Sequence, residues 1–167
     1  VGMCSLSVLA INGGEATVST DETETVPASH TYENYNVGTS SGGYGGVFYV
    51  NGGTLVIGTD CIFSSNTAGY GGAIAVLSSG DVQIGDSCTF SDNEAFWDMD
   101  GYFDSGGAIA ASGSTVSIGD KCTFSENFAS WGGAIYAPSS TVSIGAECTF
   151  SGNYASAASS SGGALFA

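Results

Sequence analysis

Positive charge is almost missing from this sequence. Its 167 residues hold sixteen acidic side chains against one basic one, Lys121, with no arginine and a single histidine, His30. Nothing here can neutralise a run of phosphates, which excludes nucleic acid and anionic lipid as partners. Proline is scarce, and no apolar run approaches the ~18 residues of a membrane span. No signal peptide is visible, so an export signal has been removed or lies outside this sequence. The Asn-x-Ser/Thr sequon is missing too, so N-linked glycans are not expected.

Glycine is frequent at 27 residues but follows no three-residue period, which excludes collagen. Hydrophobic residues make up 43% and aromatics 11%, too much for a disordered chain. The length suits one domain with a real core. The acidity has two readings: it keeps the chain soluble through self-repulsion, or it serves a divalent cation or a cationic partner. Five cysteines among so few charged residues fit an oxidising, extracellular compartment.

An internal repeat points to the architecture. From Gly106 the chain reads GGAIAASGSTVSIGDKCTFSENFASW, and it restarts at Gly132 as GGAIYAPSSTVSIGAECTFSGNYA. The same frame opens at Gly71 with GGAIAVLSSGDVQIGDSCTFSDNEAFW and at Gly45 with GGVFYVNGGTLVIGTDCIFSSNTAGY. GGALFA, from Gly162, begins another copy. Each copy holds three short stretches of period-two alternation, GGAI-x-A, TVSIG and CTFS, and each reads as a strand. Three different strands in a fixed order make one turn of a parallel coil, whereas an antiparallel sheet would show hairpin dipeptides at its junctions. The pattern predicts an all-β fold, a single right-handed parallel β-helix with three short strands per ~26-residue rung and about five to six rungs.

Residues 45–167 give four regular repeats plus a partial one, with a loop insertion over 96–105. Residues 1–44 read as degenerate N-terminal rungs. There EATVST after Gly13–Gly14 fits a first strand, Thr23 to Val26 a second, and His30–Thr31–Tyr32 stands where CTF stands elsewhere. Cys4–Ser5–Leu6–Ser7 resembles CTFS, giving about six third-strand rungs and roughly 29 Å of coil. Alternation places Val116, Ile118, Cys122 and Phe124 inside, and Thr115, Ser117, Thr123 and Ser125 outside. The expected core is a column of Ile57, Ile84, Ile118 and Ile144 beside a column of Phe63, Phe90, Phe124 and Phe150. Asn66, Asn93, Asn127 and Asn153 follow at a fixed offset and predict an amide ladder at a turn. The Gly-Gly pair lets the backbone enter a strand with little side-chain bulk.

Copies joining GGA[I/L] to FxxN resemble the repeats of chlamydial polymorphic membrane proteins. The motifs are Gly71–Ile74 with Phe90–Asn93, Gly106–Ile109 with Phe124–Asn127, and Gly132–Ile135 with Phe150–Asn153. Phe63–Asn66 and Gly162–Leu165 add single motifs, while Gly45–Phe48 departs, with Val and Phe for Ala and Ile. The resemblance covers residues 45 to 167. It implies an autotransporter-passenger-like β-helix acting as a surface adhesin. No outer-membrane barrel is visible in the sequence, so transport and anchoring are not carried over.

Enzymatic chemistry is not expected. The only Lys and the only His fall about three rungs apart, and the carboxylates spread along the turns. In the insertion, Asp98, Asp100 and Asp104 with Gly101 resemble part of a calcium loop. Phe96 and Gly107 occupy its first and last ligand positions, so the segment reads either as a solvated acidic loop or as a calcium site. Tyr70, Trp97 and Trp131 share one slot, with Tyr44 before an earlier Gly-Gly pair; such an aromatic edge roofs the core or binds sugar rings. Outward Thr and Ser ladders (Thr89/Ser91, Thr123/Ser125, Thr149/Ser151) are similar to those of ice-binding proteins and could equally carry O-linked glycans. Ile62 interrupts that array.

Cys61, Cys88, Cys122 and Cys148 occupy one ladder position, where neighbours can form disulfides or remain packed free thiols. Their spacing does not match a metal-binding motif. The chain starts near the end of a second strand and stops after a first strand, with no evident cap. Cys4–Ser7 of another copy could stack on Cys148–Ser151, beside Gly162 and Gly163, and continue the coil end to end into a fibre. Cys4 would then crosslink to Cys148. The expectation is an extracellular, non-enzymatic structural or adhesive solenoid; an adhesin fragment that binds a host or glycan ligand, and an ice-binding protein, are the rival readings.

Overall fold

Short alternating stretches that recur in register have one economical solution: each stacks on its counterpart in the next copy, sharing backbone hydrogen bonds and burying one face. A computed structural model describes residues 16–37, 43–96, 104–157 and 162–167 of the chain. The described residues contain strands and turns and no helix. The first sheet stacks Ala16–Ser19, Phe48–Asn51, Ile74–Leu77, Ile109–Ala111, Ile135–Tyr136 and Leu165–Phe166, in that order. The second stacks Thr23–Val26, Thr54–Ile57, Asp81–Ile84, Thr115–Ile118 and Thr141–Ile144. The third stacks Thr31–Glu33, Ile62–Ser64, Thr89–Ser91, Thr123–Ser125 and Thr149–Ser151. All pairings between these strands are parallel. The molecule is a β-solenoid.

A fourth ladder joins the expected three. Thr67–Ala68, Glu94–Ala95, Phe128–Ala129 and Tyr154–Ala155 pair in parallel directly after the Asn of each copy. Two residues are too few for an alternation pattern, so periodicity does not reveal them.

The interior follows the predicted directions. Val116, Ile118, Cys122 and Phe124 are buried, while Thr115 is exposed. Phe63, Phe90, Phe124 and Phe150 stack with ring centroids 4.8 Å apart, one ring per rung. Tyr32 extends the stack, 5.1 Å from Phe63. Ile57, Ile84 and Ile118 are buried as expected, but Ile144 is 39% exposed. It lies on the strand that ends the second sheet, so no described strand covers its outer side.

The first described rung keeps the register and changes the chemistry. Thr31 pairs with Ile62, which sets His30 in the cysteine slot, and Tyr32 pairs with Phe63. Glu24 pairs with Leu55, an inward position held by Val in later rungs. Burial raises the carboxyl pKa of Glu24, and burial pushes the Tyr32 phenol up to about 12.

The asparagines form a continuous amide ladder. Asn66 Nδ2 donates to Asn93 Oδ1 at 2.9 Å, Asn93 to Asn127 at 3.0 Å, and Asn127 to Asn153 at 2.9 Å. Each Nδ2 also donates to a carbonyl one rung back, from Asn66 to Tyr32, Asn93 to Phe63, Asn127 to Phe90 and Asn153 to Phe124. Each Oδ1 also accepts a backbone N–H from the preceding rung, from Tyr35, Asn66, Asn93 and Asn127 in turn. Buried Asn66, Asn93 and Asn127 therefore satisfy the corner where the chain leaves the third sheet.

Candidate functional site

The outer surface of the first sheet is the part of this coil that departs from a solvated β-face. Its register puts Tyr49, Ala75, Ala110, Tyr136 and Phe166 in one outward column. The inward partners beside them are Phe48, Ile74, Ile109, Ile135 and Leu165. Both faces of this sheet are thus apolar, and a sheet of that kind must be covered on both sides. Ala75 and Ala110 are fully buried although they point away from the core.

Aromatic rings provide part of the cover. The residues before the Gly-Gly pairs at 45, 71, 106 and 132 form a second column by parallel bridges, Tyr44 to Tyr70 to Ser105 to Trp131. Tyr44 stacks on Tyr49 at 5.0 Å and meets Tyr70 edge-on at 5.8 Å. Tyr70 and Tyr136 stand on different rungs, yet their centroids are 6.3 Å apart. The small residues of the rung between them, Ser105 and Ala110, leave room for the two rings to meet. Phe166 then packs on Tyr136 at 5.2 Å and on Trp131 at 6.1 Å. Burial raises the Tyr70 phenol, helped by neighbouring Tyr136 and Tyr44. Tyr44 is 39% exposed, and Tyr49, Trp131, Tyr136 and Phe166 are half-buried, so the patch is open at its surface.

The aromatic slot therefore joins Tyr70 and Trp131, with Ser105 between them. Trp97 lies outside the described residues, as do Asp98, Asp100 and Cys4. The residue adjoining the Gly-Gly pair sets the slot, so an insertion before that pair displaces any aromatic counted forward from the Asn. Asp104 sits beside Ser130, whose hydroxyl donates to Asp104 Oδ2 at 3.1 Å. No group of three or more His, Cys, Asp or Glu side chains converges among the described residues. His30 and Lys121 stay three rungs apart, the first in the cysteine ladder and the second exposed. On the outward third sheet, Thr123 and Thr149 share a hydroxyl hydrogen bond at 3.2 Å, while Ile62 is 40% exposed and breaks the polar array.

Cys61, Cys88, Cys122 and Cys148 are free thiols, the first three fully buried and Cys148 half-buried. Each donates to a carbonyl one turn back: Cys61 to Pro27, Cys88 to Gly58, Cys122 to Gly85 and Cys148 to Gly119, at 3.2–3.3 Å. Hydrogen bonding with Cys122, together with burial, raises the Cys88 thiol well above its ordinary value. Gly162 and Gly163 precede Leu165–Phe166, the last strand of the first sheet, and the Gly162 carbonyl accepts from Gly133 N–H at 3.3 Å.

The chain matches the Chlamydia polymorphic membrane protein repeat over residues 60–76, 121–138 and 147–167. Over these three segments the chain is similar to that repeat. Each matched segment runs from the cysteine strand, through the Asn corner and the short fourth strand, into the next Gly-Gly strand. Each matched segment thus straddles two rungs and contains the Asn of its copy, and the segments 60–76 and 121–138 also contain Tyr70 and Trp131 of the aromatic slot. The copy from Cys88 to Ile109 lies outside the matched segments, and it is the one whose corner carries the insertion. No curated protein and no solved structure matches the chain.

Proposed function

We propose that this chain is a surface-associated, extracellular, non-enzymatic β-solenoid that adheres to a neutral glycan through the outward aromatic face of its first sheet. The observation that carries this reading is the open cluster of Tyr44, Tyr49, Tyr70, Trp131, Tyr136 and Phe166 on a sheet whose other face is the core. Aromatic faces with phenolic edges suit the apolar faces and hydroxyl rims of sugars. A net charge of −15 works against sulfated or carboxylated glycans. The repeat type supports a surface location, and the separation of His30 from Lys121 supports a role without catalysis.

A glycan array probed with the folded chain tests this. Binding to neutral glycans is expected to fall at least tenfold in a Tyr49→Ser/Tyr136→Ser variant, whose changes lie on the outward column. Equal binding by the variant, or binding confined to anionic glycans, would remove the aromatic face from the account.

A second reading, end-to-end association into a fibre, rests on the last described rung. Ile144, Tyr154 and Leu165 are 39%, 60% and 36% exposed there, an apolar edge of the kind that invites another rung. Electron microscopy at physiological salt is expected to show filaments with an axial repeat of roughly 29 Å, about six strand layers. If Cys4 crosslinks to Cys148 of the next copy, reductant shortens them. Monodisperse short rods in both conditions leave only the adhesive reading.

A further inference from the structure

The first described rung changes chemistry in four inward columns at once, and adhesion through the aromatic face uses none of the residues involved. Glu24 pairs with Leu55, in a column that continues as Val82, Val116 and Val142. The pairing of Thr31 with Ile62 and the bridge from Asn36 to Thr67 set the register of the rest. His30 stands opposite Cys61, Tyr32 opposite Phe63 and Tyr35 opposite Asn66. A carboxyl, an imidazole and two phenols thus occupy slots that hold aliphatic, thiol, phenyl and amide groups in the later rungs.

Glu24 is the member of this group that its surroundings suit least. It is half-buried, its column partner Leu55 is fully buried, and Val26, two residues on and pointing the same way, is buried too. An ionised carboxylate in such a column needs a cation or hydrogen-bond donors. The one Lys or Arg of the sequence, Lys121, lies three rungs away. The titratable groups that turn inward with Glu24 are His30, Tyr32 and Tyr35 of the same rung and Cys61 of the next. The first sheet brings Val18 and Phe48, which do not titrate. Asp21, Glu22 and Glu33 are exposed on the same rung and add negative charge to it.

We propose that Glu24 makes this rung a proton-operated latch, closed on Leu55 when the carboxyl is protonated and released when it is ionised. The sign follows from burial, which raises the Glu24 pKa in the folded chain. A group of that kind contributes stability that is complete below its unfolded pKa and is lost as pH rises through the raised folded value. Opening is local, because the same column is aliphatic from Leu55 onward. Release of Thr23–Val26 and Thr31–Glu33 uncovers Thr54–Ile57 and Ile62–Ser64. The coil then presents a strand edge that is open to pairing.

Hydrogen exchange of the full chain, followed by mass spectrometry from about pH 5 to about pH 8 and corrected for the intrinsic rate, reads the latch directly. Protection of residues 23–33 is expected to fall at least about threefold across that range, while that of Thr89–Ser91 stays level. Glu24→Gln, which cannot ionise, is expected to hold residues 23–33 equally protected at both ends of the range. Glu24→Val, which installs the aliphatic residue of the later rungs, is expected to do the same. His30→Cys restores the thiol column and removes the imidazole, and is expected to leave the fall in place. Level protection in the parent, a fall that survives both Glu24 variants, or one that His30→Cys abolishes would each overturn the assignment.

Discussion

Asn93→Ala is expected to destabilise the coil by about 4–6 kcal/mol, against the 5–15 kcal/mol available to a typical domain. The side chain is fully buried and makes four hydrogen bonds. Its Oδ1 accepts from Asn66 N–H and Asn66 Nδ2, and its Nδ2 donates to Phe63 O and Asn127 Oδ1. Alanine leaves two donors without an acceptor and withdraws one donor from each of two acceptors, deep in a corner that water does not reach. Each orphaned donor costs about 1–3 kcal/mol, the acceptors somewhat less. Asn153→Ala at the exposed end of the same ladder is expected to cost far less, because Asn153 is only half-buried. Urea unfolding of the two variants measures the contrast. Equal midpoints for both would mean that the interior amides are not the fastening of the corner.

Gly107→Ala is expected to cost more than about 3 kcal/mol, or to prevent folding altogether, as overpacking against immovable backbone does. A Cβ at this position would lie 2.1 Å from the Gly133 carbonyl oxygen and 2.6 Å from the Phe128 nitrogen. Both are backbone atoms of the next rung, and that rung is itself stacked on another. The glycine before it has a different need: Gly106 adopts φ +66°, the left-handed region. The Gly-Gly pair is thus one residue chosen for conformation followed by one chosen for close approach. Gly113→Ala provides the comparison, since φ is +57° there and nothing lies within 4 Å of the added carbon. Only backbone strain of about 1–2 kcal/mol is expected. Soluble yield and urea midpoints rank the three proteins; a Gly107→Ala chain as stable as the parent would show that rungs slide apart more readily than this packing implies.

Much of the coil can be read from residue order because its rungs are copies. Any position that repeats, such as Phe63, Phe90, Phe124 and Phe150, must stack on itself, and alternation then decides whether it points in or out. His30 could be placed in the cysteine slot for the same reason. What does not repeat is harder to see. The corner residues Asp60, Ser87, Lys121 and Glu147 all adopt left-handed φ near +60°, yet their side chains share no chemistry that would announce it. The outer cover of the first sheet depends on Tyr70 and Tyr136 leaning together over Ser105 and Ala110, a contact between rungs that only side-chain size permits. Counting forward from the Asn points to Trp97 for the slot that Ser105 fills, because the count crosses an insertion whose length sequence patterning does not absorb.

That insertion interrupts none of the described ladders. Glu94 and Ala95 pair in register before it, and Ser105 bridges to Tyr70 and Trp131 after it. The corner between the fourth strand and the Gly-Gly pair is therefore a position where chain length is a free variable. Peptide grafted there inherits a fixed pair of anchor points one rung from its neighbours, and a set of such grafts on successive rungs would be displayed at the strand spacing. The scaffold and whatever it presents can change independently, which lets one stable coil carry many different surfaces.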